Sequence, residues 1–217
     1  GQLEIPAHRM AAYSEVSNVL LEDGQVDIEA ELQMDMAEQF AKAEGAAFVA
    51  GNGVGKPRGF LTYPAGTGDG QIEQVASGHA TAITADGLID LLYRLKAAYR
   101  TAATWLMSSG TLAAVRKLKD GQGNYIWQPS LAAGQPETNL GTPVIECPEM
   151  PAVAAGSLPV ALADWRRAYR VFDRRGVTML RDPFTKSRSG LTCYTAVLRV
   201  GGAVQQPEAI KLLKITA

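Results

Sequence analysis

A lysine among glycines is the most suggestive chemical motif of the sequence. Lys56 lies in the run GNGVGKPRGF, and glycine-rich loops with a lysine can surround phosphate through their backbone amides. A Ser or Thr follows the lysine in such loops, whereas here Pro57 follows and brings neither a hydroxyl nor an amide hydrogen. The glycines also follow a predicted helix, where a phosphate loop should follow a strand. Nucleotide binding is therefore disfavoured, and an α+β enzyme that binds an anionic ligand at Gly51 to Gly59 is kept only as an alternative function.

Few other side chains could carry metal or hydrolytic chemistry. His8 and His79 are the only histidines, and Cys147 and Cys193 show no CxxC spacing. A histidine-based metal site, a disulfide framework and a Ser-His-Asp relay all need more of these residues or a different spacing. We therefore predict no catalytic residue, no cofactor and no metal, and we interpret both cysteines as packing thiols.

Acidic and basic residues alternate late in the chain. Asp164, Asp173 and Asp182 recur among arginines, which would suit paired carboxylates for acid/base catalysis or ion pairs at strand ends equally well. The basic residues of this region are Arg166, Arg167, Arg170, Arg174, Arg175, Arg181, Lys186 and Arg188. They are interpreted as solvated strand faces, as an inter-subunit salt-bridge surface or as a patch that faces the lumen of a shell.

Composition narrows the class of protein. The chain has 217 residues, of which 47% are hydrophobic and 20% charged, enough to bury the core of one domain or two small ones. No window reaches the roughly 18 apolar residues of a membrane span, and the first residues lack a signal-peptide pattern. A formal net charge of −1 argues against a protein whose main task is coating nucleic acid. We therefore expect a folded protein that is neither membrane-embedded nor secreted.

The first half of the chain predicts helices. Asp27 is a favourable N-cap, and Ile28, Leu32, Met36 and Phe40 recur at helical spacing. They predict an amphipathic helix of about six turns that ends at Gly51, and we expect its apolar stripe to pack against the C-terminal sheet.

A second helix is predicted to begin at Thr84 or Asp86, with an apolar stripe of Leu88, Leu91, Leu92, Leu95 and Tyr99. A short strand at Thr104 to Met107 and a helix from Ser108 or Ser109 to about Lys119 follow it. The runs VALADW, YRVFD, GVTMLRD, LTCYTAVLRV and AIKLLKIT then predict an antiparallel sheet. Helices followed by strands indicate an α+β fold.

Several of these segments together resemble one protein family. The predicted long helix that leads into GNGVGKPRGF, the run LMSSGTLAAVRKLKDGQGNYIWQP, the segment NLGTPVIECPEMP, the stretch ALADWRRAYRVFDRRGVTMLRD and the ending LRVGGAVQQPEAIKLLKIT occur in order. This order resembles the major capsid proteins of tailed bacteriophages, whose Hong Kong 97-type fold is shared by encapsulin shells and gene transfer agent capsids. The resemblance covers nearly the whole chain.

The resemblance implies a structural shell protein and not an enzyme. It implies a peripheral domain formed by residues 1–62 and 187–217, with a long spine helix on an antiparallel sheet. It also implies an axial domain formed by residues 63–186, with helices around a central sheet. Copies of the chain would assemble in the bacterial cytoplasm into hexamers and pentamers of an icosahedral virion head. The head would enclose DNA, contacted non-specifically, with portal and scaffold proteins as further partners and no membrane. An encapsulin-type nanocompartment shell is the alternative within this fold.

The resemblance also suggests which residues meet neighbouring subunits. The candidates for inter-subunit contact are Trp165, Arg166, Arg167, Asp173 and Arg174. Family members begin with an extended arm and a long hairpin, and Gly1 to Tyr13 resembles only the returning strand of that hairpin. Because the arm and the hairpin reach across neighbouring subunits, we expect a chain without them to fold but to assemble poorly.

One branch of the family joins a lysine to an asparagine of a neighbouring subunit, with the help of a carboxylate. The positions similar to that carboxylate and that asparagine fall at about Val197 and near Gly190. Neither residue can supply the required group, so no covalent cross-link is expected.

Overall fold

A computed structural model describes residues 4–23, 27–126 and 138–217 of the chain. Its helices are α1 (Asn18–Asp23), α2 (Ile28–Ala50), α3 (Ala85–Arg94), α4 (Ala97–Arg100), α5 (Ser109–Arg116) and α6 (Trp165–Ala168). Its strands are β1 (His8–Ser17), β2 (Glu73–Ala76), β3 (Thr104–Met107), β4 (Thr138–Asn139), β5 (Thr142–Glu146), β6 (Val160–Ala163), β7 (Tyr169–Asp182), β8 (Leu191–Val204) and β9 (Ile210–Lys214). The fold contains both helices and strands, in agreement with the predicted α+β class.

The chain divides into two compact units. Unit 1 comprises residues 1–59 and 171–203, and unit 2 comprises residues 60–170 and 204–217. The first boundary lies close to the predicted one at residue 62, but the predicted C-terminal boundaries differ from these units. Residues 171–186 belong to unit 1 because β7 is hydrogen-bonded beside β8, and residues 204–217 belong to unit 2 because β9 lies inside its sheet.

Unit 1 is a helix packed on a three-stranded sheet. The strand order is β1-β8-β7, and β1 pairs with β8 in antiparallel register from His8 opposite Val200 to Ser17 opposite Leu191. Side chains alternate between the two faces of a strand. Tyr194, Ala196, Leu198 and Val200 of β8 therefore share one face, and they form a core cluster with Met36 and Phe40 of α2.

The predicted long helix is confirmed. Asp27 caps α2 by accepting a hydrogen bond on its Oδ1 from the amide of Ala30 at 3.1 Å, and Phe40 is only 5% exposed. Ile28 and Leu32, the two aliphatic residues of the stripe, pack at the margin of the core cluster that contains Met36 and Phe40. The predicted packing of this stripe on the C-terminal strand β8 is therefore also confirmed.

A tight turn follows α2. A Cβ atom at Gly51 would lie 2.1 Å from the carbonyl oxygen of Pro57, and one at Gly59 would lie 2.4 Å from that of Val49. The amide of Gly59 donates to the oxygen of Gly51 at 2.8 Å. Only glycine fits these two positions, because the backbone folds back onto the end of the helix with no room for a side chain.

Unit 2 is built around a six-stranded sheet with the order β2-β9-β6-β3-β5-β4. β2 pairs with β9 and β3 pairs with β5 in parallel, whereas the other pairs are antiparallel. The expectation of one antiparallel C-terminal sheet is thus wrong: β6 and β9 belong to this mixed sheet and β7 and β8 to the other. Sequence runs show that a segment is extended, but they do not show which partner it pairs with.

The helices of unit 2 cover the sheet with apolar side chains. Leu88, Leu91 and Leu95 of the α3 region form a core cluster with Trp105 of β3 and Leu213 of β9. α5 ends at Arg116, earlier than the predicted Lys119, and the runs YRVFD and GVTMLRD form the single strand β7. The end of the run that was compared with the capsid family, from Trp127 onward, lies outside the described residues.

Candidate inter-subunit surface

Three of the five predicted contact residues lie together on the short helix α6 of unit 2. The C-terminal segment fixes this helix: the amide of Asp164 donates to the oxygen of Ala209 at 3.0 Å, and the oxygen of Ala168 accepts from the amide of Gln205 at 2.8 Å. Ala168 is fully buried. α6 therefore holds the side chains of its residues at fixed positions on the surface of unit 2.

Trp165 is half-buried within its own subunit. Its indole Nε1 donates to the oxygen of Thr104 at 3.3 Å, and its ring lies 5.1 Å from that of Phe60 at an interplanar angle of 60°. These contacts hold the indole rigidly, as hot-spot tryptophans at protein interfaces are held. Only part of the ring is left for a neighbouring subunit.

Arg166 and Arg167 are exposed on the same helix. The Nε of Arg167 lies 3.6 Å from Oδ2 of Asp164, and its guanidinium lies 5.6 Å from the ring centroid of Tyr99. Arg166 has no ion-pair partner among the residues that the structure describes. This exposed charge can reach an acidic group of another molecule without breaking an internal pair.

Asp173 and Arg174 lie on β7 in unit 1, and both are exposed. The structure therefore distributes the five candidates over two separate elements of two units, three on α6 and two on β7. Burial, and secondarily the nearby Asp173, raise the pKa of the Glu44 carboxyl on α2 above its ordinary value. Asp173 of β7 thus acts electrostatically on Glu44 of α2 within unit 1.

Sequence reasoning missed several exposed apolar side chains on β7. The side chains of Val171, Phe172, Val177 and Leu180 are 44 to 64% exposed, and Phe184 just beyond the strand is 83% exposed. The runs that contain these residues predicted extended strands of a sheet, and β7 is the edge strand of its sheet. An exposed apolar edge is typical of surfaces that are covered by another chain.

A second overlooked feature is a charged pocket of unit 2, with a volume of about 170 Å³. Lys211 is nearly buried and lies 2.8 Å from Glu73, while Lys96 pairs with Glu208. The hydrogen bond with Lys96 lowers the pKa of the Glu208 carboxyl. No local sequence signal indicated these pairs, because their members come from distant segments. The first pair joins β2 to β9, and the second joins the start of α4 to the segment before β9.

The glycine loop is poorly suited to anion binding. The amide of Val54 donates to Oδ1 of Asn52 at 3.1 Å, the amide of Arg58 to Gly202 at 3.2 Å and the amide of Gly59 to Gly51. These donors are used within the protein, whereas an anion site needs amides that converge on the ligand. The alternative of an enzyme at Gly51 to Gly59 loses its structural support.

Two negative findings concern residues 4–23, 27–126 and 138–217. No group of three or more His, Cys, Asp or Glu side chains in this part of the chain is placed to hold a metal ion. Within the same ranges, no helix combines the length and the apolar character that crossing a membrane requires.

Solved structures of several known proteins share the fold of this chain. The chain is similar to the capsid of an empty GTA particle, computed with C5 symmetry, at 42% identity and a TM-score of 0.90, over 98% of this chain and 74% of that one. The capsid of the native GTA particle matches at 41% identity and a TM-score of 0.91, over 98% of this chain and 74% of that one. The holo-SrpI encapsulin complex from Synechococcus elongatus PCC 7942 shares the fold at 18% identity and a TM-score of 0.69, over 97% of this chain and 73% of that one. No curated protein matches the chain.

The family follows from a match over almost the entire sequence. The model of the phage capsid family matches residues 1–215, and the chain belongs to that family. Its fold is the Hong Kong 97-type capsid fold, and it is a structural shell protein that associates with copies of itself. The predicted family, fold and function are thereby confirmed.

Proposed function

We propose that this chain is the major capsid subunit of an icosahedral head and assembles into pentamers and hexamers that enclose DNA. The observation that carries the proposal is the 42% identity to a GTA capsid with five-fold symmetry over 98% of the chain. Unit 2 acts as the axial domain around each capsomer axis, and unit 1 acts as the peripheral domain between capsomers. Assembly takes place in the cytoplasm of a bacterial host.

The exposed residues of α6 and β7 form contacts between subunits in this proposal. Arg166 and Arg167 meet acidic groups of a neighbour, and Trp165 supplies a rigid apolar surface beside them. Asp173 and Arg174 act in the same way on unit 1. Interfaces of this kind gain affinity from a few buried aromatic and arginine side chains within a large contact area, and they need no reactive group.

The shell in this proposal encloses DNA, and the subunits contact this DNA non-specifically. With a formal net charge of −1 the subunit has no strong basic excess, so contacts with phosphate are few and local. Portal and scaffold proteins are further partners of such a head, and they would bind surfaces that only the assembled shell presents.

An encapsulin-type shell is the second candidate, because the SrpI encapsulin complex shares the fold. Its TM-score of 0.69 and identity of 18% lie well below the values for the GTA capsids. The two candidates differ in their content: a phage-like or GTA head encloses DNA, and an encapsulin-type compartment encloses cargo protein.

Electron cryomicroscopy of particles purified from the native host tests the proposal. We expect closed shells with pentameric and hexameric capsomers, and DNA inside them that withstands nuclease. Shells that hold cargo protein and no DNA would support the encapsulin-type alternative. Absence of this chain from purified shells would contradict both candidates.

A further inference from the structure

Two arginines lie side by side on the sheet of unit 1. Arg9 of β1 is in register with Arg199 of β8, and both side chains are exposed. Residues that are directly opposite in an antiparallel pair have Cβ atoms about 4.5–5.5 Å apart, and like charges in these positions repel. Among the described residues neither arginine has an ion-pair partner. Folding therefore leaves a compact, uncompensated positive charge on this surface.

The arginine pair lies on the sheet face away from α2. Its strand neighbours Met10 and Leu198, which are also in register, point to the other face and belong to the core cluster with the helix. Because side chains alternate along a strand, Arg9 and Arg199 point away from that core. Met36 and Phe40 of α2 belong to that core cluster and therefore pack on the opposite face.

The helix carries the opposite charge on its solvent side. Glu31 and Asp35 are exposed, lie one turn apart on α2 and have no ion-pair partner among the described residues. Acidic residues four positions apart are about 5–6 Å from each other and repel weakly. The helix dipole favours an acid in the first turn, where Glu31 lies, but this effect fades before Asp35. Glu38 nearby is neutralised by Lys42 at 2.7 Å.

We propose that the Arg9–Arg199 pair of one subunit receives the Glu31–Asp35 pair of a second copy of this chain. The two pairs have similar spacing, opposite charge and no partner within their own described chain. They cannot meet within one subunit, because one pair lies on the sheet face away from α2 and the other lies on the solvent side of that helix. Only association between copies removes both the repulsion within the arginine pair and the repulsion within the acidic pair.

Such a contact is head-to-tail, because two different surfaces of the subunit meet. Contacts of this type generate closed rings when the rotation between copies closes, and the GTA capsid has five-fold symmetry. The inference therefore rests on the proposed function and adds to it a specific pair of complementary surfaces. Arginine is suited to this role because its planar guanidinium binds carboxylates through paired hydrogen bonds.

Paramagnetic broadening between copies tests the contact, and it detects weak association as well. A nitroxide is attached to a Met34→Cys variant in a Cys147→Ser background, since Met34 is 61% exposed and lies on α2 beside Glu31 and Asp35. This spin-labelled protein is mixed with ¹⁵N-enriched protein that carries no nitroxide. We expect loss of amide signal at Arg9, Arg199 and their strand neighbours. A nitroxide at Tyr93→Cys, which is 68% exposed in unit 2, is the matched control and should leave these signals intact.

Charge reversal supplies the second readout. The ¹⁵N-enriched R9E/R199E variant should show no broadening with the Met34→Cys label, and broadening should return when the labelled copy also carries E31K/D35K. The alternative variant R9Q/R199Q preserves the test if the reversed pair does not fold. Intact signals at Arg9 and Arg199, equal broadening from the Tyr93→Cys label, or broadening that persists in R9E/R199E would each overturn the inference. Because shells are scored separately by microscopy, loss of this contact with intact shells leaves the proposed function standing.

Discussion

Phe40 lies at the centre of the contact between α2 and the sheet of unit 1. Its ring is 5% exposed and packs in one cluster with Tyr194, Ala196 and Leu198. Phe40→Ala should lower the free energy of unfolding by about 3–5 kcal/mol, because it removes a buried ring and leaves a cavity. Urea denaturation measures this loss. Met34→Ala on the exposed side of the same helix is the control and should change stability by about 0.5 kcal/mol or less, so equal losses in both variants would contradict the assigned packing.

Glu15 couples the stability of unit 1 to acid pH. The hydrogen bond from Lys186, and secondarily that from Tyr13, lower the pKa of the Glu15 carboxyl below its ordinary value. A carboxyl whose pKa is lowered by folding stabilises the protein above its unfolded pKa, and this contribution is lost as the pH falls through the folded value. Glu15→Gln should therefore be less stable than the parent near neutral pH, and the difference should shrink at a pH well below about 4. Urea denaturation over this pH range checks the trend; parallel curves for the two proteins would refute it.

At the scale of single residues the sequence was informative about burial in α2 and uninformative about charge partners. Met36 and Phe40 repeat at helical spacing, so their common face follows from local geometry. The pair of Lys186 and Glu15 joins residues 171 positions apart, and that of Lys96 and Glu208 joins residues 112 apart. Such pairs depend on how distant strands are brought together, and no local pattern specifies this.

At the scale of elements, a cap links α3 to the strand that precedes it. The Thr84 hydroxyl accepts a hydrogen bond from the amide of Gly87 at 3.0 Å and also donates to the oxygen of Ser77. Thr84→Ala should lower the free energy of unfolding by about 1 kcal/mol, because the amide at the helix start loses its partner. Thermal or urea unfolding measures the change. Thr84→Ser keeps the hydroxyl and should retain most of the stability, and a loss as large as that of the alanine variant would argue against capping as the cause.

The elements also show where sequence patterns stop being sufficient. The bounds of α2 and the start of α3 were predictable because caps and apolar spacing are local signals. The predicted stripe ran on to Tyr99, whereas α3 ends at Arg94 and Tyr99 lies on the separate helix α4. The runs that form β6, β7, β8 and β9 were recognised as extended, yet their division between two sheets was not. Their order in the sheets depends on pairing between segments that are distant in sequence, as in β2 with β9. The exposure of the apolar residues of β7 was missed for the same reason, since an edge strand and a central strand can share one pattern.

At the scale of the whole molecule, we expect subunits to be held together without covalent links. The resemblance to one cross-linking branch of the family places an asparagine near position 190, where this chain has Gly190 in a left-handed turn with φ of 64°. The carboxylate would fall at about position 197, where Val197 lies within β8. Denaturing gel electrophoresis of mature particles should therefore show a single monomer band. A ladder of oligomers that resists reductant would show that another pair of residues forms the link.

The path of the chain through its two units has a consequence for how the protein is made. Unit 1 cannot close until β8 is available, since Tyr13 meets Cys193, a residue 180 positions later. Unit 2 needs β9, which follows β8 in the sequence and lies between β2 and β6 inside the sheet. A chain whose synthesis has not yet reached β8 thus lacks a completed form of either unit. Contacts of such large sequence separation form slowly and leave strand edges open in the meantime. Each unit can therefore close only after its C-terminal strand has been made, so the association of subunits follows the synthesis of β8 and β9.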